Sequence, residues 1–161
     1  MSTRELRSLS ENCSMSSPNI EKAVLTQSGF DVMGLHDSRV YAFALEPNSD
    51  ESGKLLIDLD YVVPWVTPSQ PGKPFSFWVA PATLAFEEAW AFAADISPES
   101  EFTLELDRIE RSDPEGLGRS CWTLDGHQFT ARVLAPGFTQ SLRGAPIASP
   151  YLSLSMADRG A

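Results

Sequence analysis

Sulfur, histidine and positive charge are all scarce in this chain, and each shortage closes off a class of function. Two cysteines, Cys13 and Cys121, among 161 residues cannot make a disulfide framework, and their spacing holds no CxxC zinc or redox motif. Without a secretory signal both read as reduced thiols of a cytoplasmic protein. The first nineteen residues, MSTRELRSLSENCSMSSPN, contain no apolar h-region. No apolar run approaches the roughly 20 residues that a membrane-spanning helix needs. Lys and Arg total 12 against 22 Asp and Glu, a net charge of -10, so nucleic acid is a poor partner. There is no G-x-S-x-G elbow, and Gly116-Leu117-Gly118 lacks the third glycine and following helix of a phosphate cradle. No cofactor is implied.

What the chain does have is β pattern. In LLIDLDYVVPW, residues 55–65, Leu55, Ile57 and Leu59 alternate with Leu56, Asp58 and Asp60, the period a pleated strand imposes. Asp58 and Asp60 therefore share a face, roughly 7 Å apart by the strand rise. RVYAFAL at 39–45 precedes a turn at Pro47-Asn48-Ser49-Asp50 with Gly53, which predicts a hairpin with residues 54–63. Pro64, Pro68, Pro71 and Pro74 confine 64–74 to loop, and a strand from Phe75 stops at Pro81.

Residues 82–95, ATLAFEEAWAFAAD, favour helix by propensity, yet Leu84, Phe86, Trp90 and Phe92 also alternate as two strands would. Further strands are expected at 102–111, with Phe102, Leu104 and Leu106 on one face, then a turn at Asp113-Pro114-Glu115-Gly116. Strands at 120–124 and 128–134 form a hairpin around Asp125-Gly126. Ser17-Pro18 reads as the start of a short helix through Ile20, Ala23, Val24 and Gln27.

The expected fold is mainly β within an α+β class: an antiparallel sheet of about seven to eight strands, a half-open sandwich with that N-terminal helix. Residues 1–17 read as a flexible tail, 18–150 as one β-rich domain, and 151–161 as an irregular C-terminal tail.

Charge is uneven. Residues 87–115 carry ten acids against Arg108 and Arg111, whereas 116–161 carry Asp125 and Asp158 against four arginines. Such an acidic face, with Glu105 and Asp107 on one strand, suits either a basic protein partner or plain solubility. His36, Asp37, Asp58 and Asp60 are the catalytic or metal-ligating candidates, for acid/base work or oxygen ligation. The plainer alternative has Asp37 or Ser38 fixing a loop through a backbone N–H, His36 packing at the sheet edge, and Asp58 and Asp60 facing solvent near Arg39. Arg143 suits carboxylate recognition or balance of the acidic face. The aromatics at 65, 75, 77, 78, 86, 90, 92 and 122 suit a pocket or a core.

The segments LHDSRVYAFAL with LLIDLDYVVPW, then FSFWVAPATLAF, then APGFTQSLRG together resemble a family of uncharacterised bacterial proteins. That resemblance spans most of residues 30–146, implies that PATLAF continues as a strand, and supplies no activity or catalytic residues. The His-Asp lead into a strand is similar to small bacterial immunity proteins, which act by binding. These observations favour a non-enzymatic acidic binding module, immunity-like in kind. The alternative is a metal-dependent enzyme or metal-binding protein using His36, Asp37, Asp58 and Asp60.

Overall fold

Among the described residues ten antiparallel strands form one sheet, and the sheet curls until distant strands touch. The computed structural model describes residues 24–26, 34–66, 72, 75–99 and 101–160. In chain order the strands are β1 (Val24–Thr26), β2 (Ser38–Pro47), β3 (Gly53–Val66), β4 (Ser76–Ala89), β5 (Ala91–Ile96), β6 (Leu104–Ser112), β7 (Ser120–His127), β8 (Phe129–Ala135), β9 (Thr139–Leu142) and β10 (Ile147–Ser149). Their spatial order is β1-β9-β4-β3-β2-β6-β7-β8-β5, with β10 paired to β4 off that path. Among the described residues no helix is long and apolar enough to cross a membrane.

The mainly β, antiparallel class expected from the alternation is what forms. Residues 24–26 of the expected N-terminal helix are instead a strand paired with β9, and the rest of that segment lies outside the described residues. The contested stretch 82–95 is strand in β4 and again in β5, but the two do not form a hairpin with each other. β4 pairs with β3 and β9, while β5 crosses to β8.

Leu55, Ile57 and Leu59 of β3 are fully buried, as are Leu84 and Phe86 of β4 and Trp122 and Leu124 of β7. β4 and β8 stand five places apart in the sheet order, yet they come into contact. The sheet twist folds the inner face onto itself. Trp122 and Phe138 meet edge to face at 5.0 Å between ring centres, and Phe86 lies 5.4 Å from Phe138. The Trp122 indole N–H donates to the Ala135 carbonyl at 3.1 Å, so its one polar atom is satisfied inside the core.

Several boundaries move from their sequence positions, each for a local reason. β3 runs through Pro64 to Val66, with a register shift between Val62 and Trp65 that accommodates the proline. β4 runs through Pro81. The Pro81 carbonyl accepts from the Arg143 N–H at 2.8 Å, on the side where β4 changes partner from β10 to β9. The missing proline N–H points to that same gap, so no ladder bond to β3 is lost.

The β7–β8 turn is His127-Gln128 rather than Asp125-Gly126, with Gln128 at φ 66°. Gly126 is required for another reason, since a Cβ there would collide with the Glu105 carbonyl and the Phe129 ring. Phe102 stands outside β6 at φ 51° and is 82% exposed, so it does not share a buried face with Leu106.

Candidate functional site

The alternation of β3 puts Asp58 and Asp60 on the face opposite Leu55, Ile57 and Leu59, as the spacing requires. Solvent does not reach Asp60 on that face, and it reaches Asp58 only in part. The segment after Pro146 supplies β10, inside the expected domain, and the stretch from 151, expected as an irregular tail, then lies across the two carboxylates. Ser149 holds its start, accepting from the Tyr151 N–H at 3.0 Å and donating to the Ser153 carbonyl at 3.3 Å.

Ser155 then caps a single turn. Its hydroxyl donates to Asp158 at 2.6 Å, accepts from the Asp158 N–H at 3.2 Å, and its carbonyl accepts from the Arg159 N–H at 3.1 Å. Gly160 leaves that turn at φ 75°, a left-handed exit that glycine makes without strain.

The capped turn delivers Arg159 to both carboxylates. Its guanidinium donates to Asp58 at 2.6 Å and to Asp60, with side-chain exposures of 4% for Arg159 and 0% for Asp60. The Tyr41 ring stacks on the guanidinium at 3.7 Å, and the Tyr41 hydroxyl donates to Asp60 at 2.8 Å. The Leu154 N–H also donates to Asp60, at 2.7 Å. Arg143 donates to the same Asp58 oxygen, Oδ1, as Arg159, and Arg39 donates to the Ser153 hydroxyl at 3.3 Å.

Burial, then the hydrogen bond to Asp60, pushes the Tyr41 phenol up to about 12. Two carboxylates holding two guanidiniums, a phenol and an amide form a satisfied network. It clasps the chain's last described turn to the sheet and leaves no open acid/base pair.

His36 and Asp37 are placed elsewhere. The Ser38 N–H donates to the Leu35 carbonyl at 3.1 Å, and Asp37 adopts φ 63°. A backbone turn therefore fixes this loop, while the buried Ser38 hydroxyl has no partner among the described residues. His36 does not pack at the edge. Its side chain is 69% exposed, 3.5 Å from Asp37 and 3.6 Å from Asp107. One ligand atom from each of His36, Asp37 and Asp107 lies within 4.8 Å of the others. The structure thus divides the four sequence candidates: Asp58 and Asp60 pair with arginines, and His36 and Asp37 meet Asp107 instead.

The acidic surface is also divided. On β6, Arg108 pairs with Glu110 and Asp125, both at 3.1 Å, and Arg111 pairs with Asp113 at 3.1 Å. Lys54 pairs with Glu87 at 2.7 Å. Glu88, Asp95, Glu99, Glu101 and Glu105 have no ion pair among the described residues. Arg143 neutralises its own chain's Asp58.

The aromatics also split, Phe86 and Trp122 into the core and Trp90 and Phe92 into a cleft of about 320 Å³. Arg119 stacks on Trp90 at 3.6 Å. Sequence reasoning missed Arg159 and Tyr41. The signal present was Ser155-x-x-Asp158 followed by Arg159-Gly160, a capped turn with a glycine exit.

The chain matches no protein-family model, no curated protein and no solved structure.

Proposed function

We propose that this protein is a non-enzymatic binding module whose acidic surface docks a basic protein partner, in the manner of an immunity-type protein. The observation that supports this most is the contrast between its carboxylates. Asp58 and Asp60, the pair with catalytic spacing, are consumed by Arg143, Arg159, Tyr41 and a backbone N–H. Glu88, Asp95, Glu99, Glu101 and Glu105 have no cation partner among the described residues. Carboxylates without a paired cation make the local potential negative, which attracts a positive surface and speeds encounter with it.

The test is a titration with a Lys-rich peptide, and with its Glu-for-Lys counterpart, at low and high salt. Binding of the Lys peptide alone, weakened by salt and by Glu105→Lys with Asp107→Lys, supports the reading. Equal binding of the acidic counterpart, or insensitivity to the reversals, removes it.

A second reading, metal binding, rests on the His36, Asp37 and Asp107 grouping. One imidazole and two carboxylates are a donor set that zinc accepts. Asp107 there takes the place that Asp58 and Asp60 held in the sequence argument.

A further inference from the structure

β5 is the last strand of the sheet, and its far side pairs with no strand among the described residues. Which of its backbone groups face outward follows from register. The Ser97 N–H donates to the Gln128 carbonyl at 2.9 Å, which continues the pairing of Asp95 with Thr130, Ala93 with Arg132 and Ala91 with Leu134. Bonded residues alternate in an antiparallel pair. The odd-numbered residues therefore bond β8, and Phe92, Ala94 and Ile96 present their N–H and C=O groups to the open edge.

Open edges are templates for strand addition, and proteins ordinarily blunt them with Lys, Pro or a bulge. AFAADI carries no Lys or Pro, and its register shifts at its start, where the Trp90 N–H donates at 2.9 Å to the carbonyl of Leu134, the partner of Ala91; from Phe92 to Ile96 the pairing is regular. Five of its six residues are exposed.

We propose that this edge accepts one extended strand from the partner, a segment that alternates apolar and basic residues. The proposal rests on the basic-partner reading and names how that partner binds. The pattern of β5 selects the occupant. Phe92, Ala94 and Ile96 lie on one face, where Phe92 packs 5.7 Å from Phe43, so every second side chain of the added strand meets apolar surface. Asp95 lies on the other face.

On that face Asp95 is the carboxylate of β5, beside Ala91 and Ala93 and with Arg132 opposite Ala93 on β8. Glu88, Glu99 and Glu101 flank the strand in a stretch, residues 87–101, that holds no Lys or Arg, so basic side chains in the added strand are favoured. The cleft lined by Leu45, Glu46, Trp90 and Phe92 opens at the start of β5 and offers a place for one of the strand's side chains. In strand addition, main-chain bonds supply affinity and such pockets supply selectivity. A second copy of this chain fits worse, because edge-to-edge pairing would set the same carboxylates against each other.

Backbone-resolved hydrogen exchange with an alternating Lys-Val peptide tests this, with Ala94→Pro and Glu99→Lys/Glu101→Lys as variants. Proline at 94 removes an outward N–H and no β8 bond, a position an edge strand tolerates, and thermal unfolding checks that the variant folds. The expected result is fast exchange at Phe92, Ala94 and Ile96 in the free protein and protection once peptide is bound. Ala94→Pro should weaken binding about tenfold or more, the equivalent of one or two lost main-chain bonds.

Protection of those amides without peptide, or protection that grows with protein concentration alone, overturns the proposal by showing the edge already covered. Full binding by Ala94→Pro with loss only in the charge variant overturns strand addition and leaves the basic-partner reading standing. No binding of the peptide by the wild type overturns both.

Discussion

Arg159 and Asp60, 99 positions apart, form an ion pair with both side chains buried. Taking two charges out of water carries a large penalty, which their attraction offsets only when the remaining hydrogen-bonding capacity is also met. Here Asp58, Tyr41 and the Leu154 N–H meet it. The pair ties the end of the described chain to the middle of the sheet.

Breaking that pair from either side is expected to be severe. Arg159→Met strands the Asp60 carboxylate in a buried position, and Asp60→Asn leaves Arg159 under-compensated. Each should cost about 3–5 kcal/mol. The double variant should cost clearly less than the sum, because it removes both buried charges. Chemical denaturation of the four proteins checks this. A loss under about 1 kcal/mol for Arg159→Met would mean that the clasp contributes little in solution.

Tyr41 gives the clasp a pH signature. Its phenol ionises near pH 10 in the unfolded chain and near about 12 in the folded one, so the folded protein holds this proton more tightly. That contribution to stability is complete below pH 10 and is lost as pH rises through the window between 10 and about 12. Tyr41→Phe should be less stable at neutral pH by about 1 kcal/mol, the value of one hydrogen bond. It should also show a shallower loss of stability across that alkaline window. Identical slopes for variant and wild type would remove the Tyr41 account.

Phe102 combines a left-handed backbone at φ 51° with a side chain that is 82% exposed. Bulky residues are strained in that conformation, and an exposed ring recovers little of the cost. Phe102→Gly should therefore be neutral or stabilising by up to about 1 kcal/mol, roughly 2–4 °C in midpoint for a domain of this size. A clear destabilisation would show that the ring contributes to packing.

How much of this was legible in the sequence depends on the range of the interaction. Alternation in LLIDLDYVVPW placed Asp58 and Asp60 on one face and Leu55, Ile57 and Leu59 in the core, because a strand's period of two leaves no choice. Asp113-Pro114-Glu115-Gly116 separated β6 from β7 as its turn chemistry requires. Asp125-Gly126 misled, since an Asp-Gly pair predicts a hairpin turn whether glycine is needed for φ or for space. Here it is needed for space beside Glu105. Pro81 read as a strand end because sequence cannot show that its missing N–H falls between two neighbouring strands. Nothing local announces that Arg159 meets Asp60, and a turn that looks like a tail becomes a clasp only through a contact across the fold.

Zinc separates the two functional readings. The His36, Asp37 and Asp107 grouping is open, with His36 and Asp107 side chains 69% and 49% exposed, and Asp58 and Asp60 are already held by arginines. The binding-module reading expects the unfolding midpoint of chelator-stripped protein to stay put when zinc is added. A metal present at 100 times its dissociation constant would add about 2.7 kcal/mol, roughly 5–11 °C for a chain of this length. A rise of that size, abolished by His36→Ala and kept by Asp58→Asn, would move the function from partner docking to a metal centre at the start of β2. The same rise lost in Asp58→Asn would instead point to the Arg159 clasp opening in solution, because the two guanidiniums that Asp58 holds repel a metal cation beside it.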